Sequence, residues 1–178
     1  MPLATPPLPP DAADLRPGRR RNVTVTDSTT KAALEWLASA APDPRACLRQ
    51  WEDHPYATVL LQAGRLWDVL LVPGRLGYPA FDVLTRQVDA PGPVLADLSG
   101  TRTGFFVPPG TVAHWLGSGI RCAGSGTSIV VPRPGKTAGG MLWLVQPDGA
   151  GTLNEPDKLD DALHEAAARL AAGESPRR

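Results

Sequence analysis

The chain has 178 residues, of which 42% are apolar and 20% are charged, as is typical of one globular domain with a hydrophobic core. Its 18 lysines and arginines balance its 18 aspartates and glutamates, so the net charge is zero. Binding to nucleic acid depends on concentrated positive charge, so this balance excludes a uniformly basic nucleic-acid-binding protein. Any contact with nucleic acid would need a local basic patch.

The first 26 residues are predicted to form a disordered leader, because their frequent prolines disfavour helices and strands. Arg16 and residues 19–21 form a basic cluster within it. We interpret this cluster either as part of a solvated tail or as a flexible arm that contacts phosphate or a partner's acidic surface. Residues 173–178 are predicted to form a second flexible tail, which leaves a single domain from residue 28 to 172.

Two helices are predicted after the leader. Residues 28–41 carry an apolar side at helical spacing, with Ser28 as the N-cap. A second helix is predicted to start at Asp43 and Pro44, because Asp is favoured as the cap and Pro at the first helical position. It is predicted to end at residues 54–55, a His-Pro pair.

The middle of the chain is predicted to be rich in short strands. Apolar runs bounded by Gly and Pro predict strands at residues 58–62, 66–72, 94–98, 104–107, 120–123, 127–131 and 141–145. The first two, joined by Ala63 and Gly64, are predicted to form a β-hairpin. Pro79 is predicted to open a helix that ends at residues 90–92, and a short helix is predicted at 111–116.

The clearest helix is the last, at residues 155–172. Leu159, Leu163, Ala166 and Leu170 recur in it at the spacing of one helix face. Strands in the middle with helices at both ends predict an α+β fold, a mostly antiparallel central sheet flanked by helices.

Cysteine and histidine usage argues against a zinc site. The two cysteines and three histidines have no metal-ligand spacing. Cys47, in a predicted helix, and Cys122, in a predicted strand, are interpreted as buried thiols. The chain shows no signal peptide and no apolar run long enough to cross a membrane, so we expect a cytoplasmic protein. The bias toward Ala, Arg, Pro and Gly is typical of a high-GC bacterial source.

Three segments carry a family resemblance. They are HPYATVLLQAGRLWDVLLV with the preceding helix that bears Trp51, SGTRTGFFVPPG, and GSGIRCAGSGTSIVVPRPGKTAGGMLWLV. In this order they resemble the N-terminal bifunctional DNA primase/polymerase (Prim-Pol) domain of the archaeo-eukaryotic primase superfamily, over roughly residues 30–146. The resemblance implies that family's α+β fold and a site for metal-dependent nucleotidyl transfer.

The metal-binding acids of that family are missing from this chain. In the family, the strand equivalent to LWDVLLV ends in two carboxylates at i and i+2, which face one site and hold two divalent metals. Leu70 and Val72 are the equivalent residues here, and Asp68 is the only acid on the strand. The family also has a histidine at the start of the strand that leads to Pro-Pro-Gly. This chain has no histidine there, and Arg102 and Thr103 occupy that region. The resemblance therefore implies the fold without the catalytic motifs.

Four residues are candidate phosphate or nucleotide ligands: Arg102, Thr103, Arg133 and Lys136. A guanidinium such as that of Arg102 can bind phosphate in a bidentate manner. Arg133 and Lys136 lie in VPRPGKTAGG, a loop whose exposed N–H groups can cradle an anion. The full phosphate-loop pattern fails because Val130 occupies the position of its first glycine. For Arg102 the alternative is an ordinary solvated arginine in a turn.

Two further groups of residues are interpreted as structural. His114, beside Trp115, has no identifiable nucleophile nearby and is expected to be an ordinary, partly buried histidine. The five tryptophans occur in elements of different type, which favours core packing over a stacking platform for single strands.

These observations favour a catalytically inactive Prim-Pol-like module, a pseudoenzyme without a cofactor that binds a protein, a nucleic acid or a nucleotide. The alternative is an active DNA primase/polymerase in which the relocated acids Asp68 and Asp97 hold Mg²⁺ or Mn²⁺. A third possibility is a structural or regulatory protein that shares only the fold. If Arg102, Arg133 and Lys136 converge on the sheet, phosphate binding is favoured, whereas an apolar sheet face favours a protein partner.

Overall fold

The computed structural model describes residues 20–116 and 119–173, and for residues 20–27 only the backbone. Within these ranges the chain forms five helices and seven strands. In order they are α1 (Arg20–Ala38), α2 (Pro44–Asp53), β1 (Thr58–Gln62), β2 (Asp68–Pro73), α3 (Gly74–Gln87), β3 (Val94–Asp97), β4 (Arg102–Val107), α4 (Thr111–His114), β5 (Arg121–Ala123), β6 (Ser128–Pro132), β7 (Met141–Val145) and α5 (Pro156–Ala171).

The strands form two antiparallel sheets. The larger sheet has five strands in the order β5-β2-β4-β3-β7, and the smaller one consists of β1 and β6. In the centre of the larger sheet, β2 and β4 pair without interruption from Asp68 opposite Val107 to Pro73 opposite Arg102. The predicted α+β class with antiparallel sheets and flanking helices is confirmed.

The predicted hairpin of the first two strands is wrong. Strand β1 pairs with β6, whereas β2 pairs with β4 and β5. Between them, Gly64 has a φ of +93°, and a Cβ there would lie 2.3 Å from the Ser125 backbone. The chain therefore passes from one sheet to the other through a crowded turn that only glycine fits.

Each face of the five-stranded sheet is covered by a different layer. Helices α3 and α5 pack together on one face, over a buried cluster that includes Leu70, Val72 and Phe105. On the other face, Trp67 and Phe106 join a second cluster with residues of α1, α2 and the small sheet. Their rings lie 4.8 Å apart at 58°, a tilted arrangement that aromatic pairs favour.

Helix ends follow the sequence closely in some places and depart from it in others. The Asp43 side chain caps α2, where its Oδ1 accepts from the Ala46 amide at 3.0 Å, as predicted. Helix α3 begins at Gly74, directly after β2, so that Pro79 lies inside the helix rather than at its start. Helix α1 begins at Arg20 instead of Ser28, within the predicted leader, while residues 1–19 lie outside the described residues.

No helix in the part of the chain that the structure describes is long and apolar enough to span a membrane.

Candidate functional site

The alternation of β2 and β4 assigns each residue to one face of the large sheet. Leu70 and Val72 lie on the face covered by α3 and α5, and both are fully buried. Because successive strand residues point to opposite faces, Val69 and Leu71 belong to the other face, and both line the cleft described next. Part of that second face belongs to one buried cluster with the small sheet, and a cleft between β2, β3, β4 and β6 opens beside it.

The cleft has a volume of about 300 Å³. Its lining residues are Val69, Leu71, Leu95, Ala96, Asp97, Arg102, Gly104, Ser128, Ile129, Val130 and Met141. Most of them are apolar, and the only charged members are Asp97 and Arg102. The cleft is therefore an apolar cavity that carries one negative and one positive side chain.

Gly104 forms part of the cleft floor in the middle of β4. It lies between Leu71 of β2 and Leu95 of β3, and the register on both sides is continuous. Its φ is not positive, so the backbone conformation does not require glycine. An added Cβ would lie 3.2 Å from Cγ1 of Val69 and 3.6 Å from Cδ2 of Leu71. The glycine therefore lets these neighbouring side chains pack closely over β4.

Asp97 ends β3 and organises the turn that follows. Its Oδ1 accepts from the Thr101 amide at 2.8 Å, and its Oδ2 accepts from the Thr101 hydroxyl at 2.5 Å. Burial acts to raise the pKa of Asp97, but hydrogen bonds from Thr101, from the Arg102 amide and from Ser99 outweigh it and lower the pKa. The carboxylate is therefore held in its charged form at the edge of the cleft.

Arg102, a predicted phosphate ligand, begins β4 beside Asp97. Since Ala96 pairs with Thr103, Asp97 and Arg102 follow as cross-strand neighbours on the cleft side. Arg102 is exposed, and no carboxylate of the described residues lies within ion-pair distance of it.

Thr103, a second predicted phosphate ligand, is buried on the opposite face, so that assignment is corrected. Its side chain is fully buried, and its hydroxyl lies 3.5 Å from the Val72 carbonyl. A Cβ on Gly77 would lie 1.8 Å from the same hydroxyl oxygen. The Thr103 side chain therefore packs against α3 and has no room for a ligand.

Arg133 and Lys136 lie together, but in another place. The Arg133 guanidinium donates to the Trp51 carbonyl at 2.9 Å, and the Lys136 ammonium lies 5.3 Å from the centre of the exposed Tyr56 ring. Both contacts are made with the end of α2 and the segment before β1. Neither residue lines the cleft. The three candidate cations thus do not converge on the sheet face, and that face is largely apolar.

The two candidate relocated acids lie on opposite faces of the sheet. Asp68 is 1% exposed on the helix-covered face, where its Oδ2 accepts from the Val112 amide at 3.0 Å. It pairs with Val107, whereas Asp97 lies level with Arg102 at the other end of β4. Five residues along a strand span roughly 17 Å. Two catalytic metals lie only about 3.5–4 Å apart, so these acids cannot hold one metal pair.

The rest of the described chain offers no replacement donor set. Within residues 20–116 and 119–173, no group of three His, Cys, Asp or Glu side chains could hold a metal ion. His114 is exposed rather than partly buried, and its Nδ1 lies 3.2 Å from the Gly110 carbonyl. Cys47 is buried as predicted, and burial raises the pKa of its thiol to about 11, whereas Cys122 is only half-buried. The side chains present do not fit a two-metal centre.

The apolar cleft residues were missed by the sequence analysis. Both faces of β2 are apolar, so its alternation did not reveal which residues look toward the small sheet. The available signal was Gly104, a glycine inside the run RTGFFV. Read as a position for close approach, it would have indicated Leu71 and Leu95 as its neighbours.

The fold and the cleft define a class: an α+β domain with a central antiparallel sheet, a small second sheet across a cleft, and helices on the far face. The model of the family described as bifunctional DNA primase/polymerase, N-terminal (Prim-Pol), matches residues 5–162. The chain belongs to this family. The family model therefore covers more of the chain at both ends than the segments that carry the resemblance, which span residues 30–146. Comparisons with curated proteins and with solved structures gave no match.

Proposed function

We propose that this chain is a catalytically inactive Prim-Pol-like module that acts by binding a protein, a nucleic acid or a nucleotide. The observation that carries the proposal is the composition of β2. Leu70 and Val72 are packed beneath the helices, and Val69 and Leu71, which line the cleft, carry no carboxylate either. Neither face of the strand therefore offers the paired acids that two-metal nucleotidyl transfer needs.

The alternative, an active polymerase with relocated acids, is less well supported. Asp68 is buried away from the cleft, and Asp97 is engaged by the turn that it organises. Nucleotidyl transfer needs positive charge fixed around the transferring phosphoryl group. Arg102 alone can bind a phosphate, but it cannot activate a hydroxyl as a metal pair does.

Binding is supported by the cleft itself. Ligand sites are concave and mostly apolar, with a few polar groups that fix orientation. The cleft has these features, with Asp97 and Arg102 as its charged groups. We also propose a cytoplasmic location, which is compatible with the two free cysteines, because disulfides are rare in that compartment.

The first prediction is that the purified full chain will not extend a primer. The assay contains a primed template, all four deoxynucleotides, and either Mg²⁺ or Mn²⁺. Without a metal pair, the rate should fall below that of an enzyme by about 10⁶-fold or more. An active polymerase under the same conditions serves as the positive control.

The result that would overturn the proposal is template-dependent product that disappears in Asp97→Ala or in Asp68→Ala. Product that persists equally in both variants would indicate a contaminating polymerase, which repeated purification removes. Arg86→Gln, at an exposed arginine on α3, is the matched surface control.

A further inference from the structure

We propose that the chain associates with a second copy of itself through the outer edge of β1. The two β1 strands would pair antiparallel about a two-fold axis at Leu60 and join the two small sheets into one continuous sheet. The inference goes beyond the proposed function, because it does not depend on whether the module is catalytic.

Strand β1 has a partner on one side only. It pairs with β6 from Thr58 opposite Pro132 to Gln62 opposite Ser128, and these two strands make up the whole small sheet among the described residues. The outer edge of such a strand presents N–H and C=O groups with which a strand of another chain can pair. The edge of β1 is therefore a surface to which a further strand can add.

The register identifies the backbone groups that point to this edge. The Ala63 amide donates to the Thr127 carbonyl at 2.9 Å, at the end of the ladder between β1 and β6. In an antiparallel pair, residues that bond to the partner strand alternate with residues that do not. The backbone groups of Thr58, Leu60 and Gln62 therefore point away from β6.

Most of this edge is open. The Thr58 carbonyl accepts from Nε2 of Gln50 at 3.4 Å, which agrees with its assigned direction. No hydrogen bond within the described residues uses the outward backbone groups of Leu60 or Gln62. An added strand would supply the partners that these groups lack.

The sequence of β1, TVLLQ, is self-complementary about its central residue. When Leu60 lies opposite the Leu60 of a second copy, Thr58 lies opposite Gln62, and the outward backbone groups of both strands face each other. The side chain of Leu60 is 62% exposed, and that of Val130, its neighbour across the ladder, is 39% exposed. Pairing brings the two Leu60 side chains together between the two Val130 side chains, and so buries apolar surface that the single chain leaves in water.

Charges beside the edge favour a second copy in this orientation. Strand β1 itself carries no charged residue that would repel its copy. The exposed acids Glu52 and Asp53 precede it, the exposed Arg65 follows it, and none of the three forms an ion pair within the described residues. Antiparallel pairing places the beginning of each strand beside the end of the other, so the acids of one copy lie on the same side as Arg65 of its partner.

The second prediction is that the purified full chain is in equilibrium between monomer and dimer. Strand pairing buries less surface than a standard interface of about 1,600 Å², so the association should be weak, with a dissociation constant on the order of 10–100 µM. Sedimentation velocity at protein concentrations from about 1 to about 300 µM should show the mean mass rising toward that of a dimer.

Charge at position 60 tests the proposed axis. Leu60→Lys and Leu60→Glu each place like charges opposite each other in a homodimer, so each variant alone should associate about tenfold more weakly or not at all. An equimolar mixture of the two variants should form the dimer again, because the lysine of one lies opposite the glutamate of the other. Leu98→Lys is the matched control, since Leu98 is also 62% exposed but follows β3 of the large sheet, and this variant should associate as the parent does.

Three results would overturn the inference. The first is a chain that remains monomeric at about 300 µM, which would leave the edge to a strand of another protein. The second is a dimer that neither substitution of Leu60 weakens, which would place the interface elsewhere. The third is a mixture of the two variants that stays monomeric, which would exclude an axis at Leu60. A primer-extension result changes none of these outcomes, so failure here is distinct from failure of the proposed function.

Discussion

The carboxylate of Asp68 lies at the start of β2 with only 1% of its surface exposed. Its Oδ2 accepts from the Val112 amide in the first turn of α4, but its Oδ1 is buried without a hydrogen-bond partner among the described residues. A buried carboxyl group costs free energy unless it is fully hydrogen-bonded. Asp68 therefore positions α4 through one bond, at the cost of an incompletely satisfied group.

The third prediction separates the effect of the hydrogen bond to Val112 from the effect of the buried carboxyl group. Asp68→Ala leaves the Val112 amide without its acceptor, and the free energy of unfolding should fall by about 1–3 kcal/mol. Asp68→Asn keeps an oxygen for that amide and removes the charge, so its stability should stay within about 1 kcal/mol of the parent. Urea denaturation of the three proteins measures both effects. Equal losses in the two variants would mean that the charge, rather than the hydrogen bond, holds α4.

At the scale of elements, the contact between α3 and β4 depends on a missing side chain. Gly77 faces Thr103, and a Cβ at Gly77 would lie 1.8 Å from the hydroxyl oxygen and 3.0 Å from Cβ of Thr103. Because β4 is a central strand, it cannot move away without disturbing its pairs on both sides. The close approach of this helix to the sheet therefore requires glycine.

The fourth prediction is that Gly77→Ala destabilises the protein through this one contact. Overpacking of this severity should lower the free energy of unfolding by about 1–3 kcal/mol or more. Thr103→Ala removes the hydroxyl that causes the worst overlap, so the double variant should recover part of the loss. A double-mutant cycle from denaturation curves should give a coupling of about 0.5–3 kcal/mol. If the two losses in the free energy of unfolding are additive, α3 moves away from the sheet and relieves the overlap.

Helix α5 covers the same face with an apolar stripe. Leu159, Ala162, Leu163 and Ala166 are buried, whereas Leu170, near the helix end, is 37% exposed. The stripe packs mainly against α3. The two leucines at positions 163 and 170 therefore form a matched pair on one helix, one buried and one partly solvated.

The fifth prediction uses that pair. Leu163→Ala should lower the free energy of unfolding by about 2–5 kcal/mol, because it leaves a cavity beneath the helix. Leu170→Ala should cost less than half as much, since it removes less buried surface. Thermal or chemical denaturation measures both. A smaller loss for Leu163→Ala than for Leu170→Ala would mean that α5 is rotated from its described orientation.

At the scale of the whole molecule, the elements were predictable because their signals are local. The Asp-Pro start of α2 and the leucine spacing of α5 are set by hydrogen bonding and periodicity within a few residues. The pairing of β1 with β6 was not predictable, because it depends on contacts across about 70 residues. A short connection favoured a hairpin, whereas in the structure Gly64 packs against the Ser125 backbone as the chain passes to the other sheet.

The position of Arg102 was partly predictable from local signals. It was singled out as a candidate phosphate ligand because it follows a Gly-rich turn, and it lines the cleft. Phosphate binding by Arg102 stays a prediction. Thr103, its neighbour in the chain, faces the opposite way, because a strand turns successive side chains to opposite faces. A shift of one residue thus decides whether a side chain of β4 faces solvent or is buried. In an apolar strand such as β2, both faces carry similar residues, so the sequence does not show which residues belong to which face.

The apolar composition of β2 has a consequence for the balance between activity and stability. A polymerase centre must hold like-charged carboxylates close together in the middle of its sheet, and that repulsion is relieved only when metals bind. Here the central strand buries Leu70 and Val72 completely and lines the cleft with Leu71. The sheet is therefore free of that strain at these positions. Under the proposed function, the centre of the sheet contributes to stability where a polymerase would use it for chemistry.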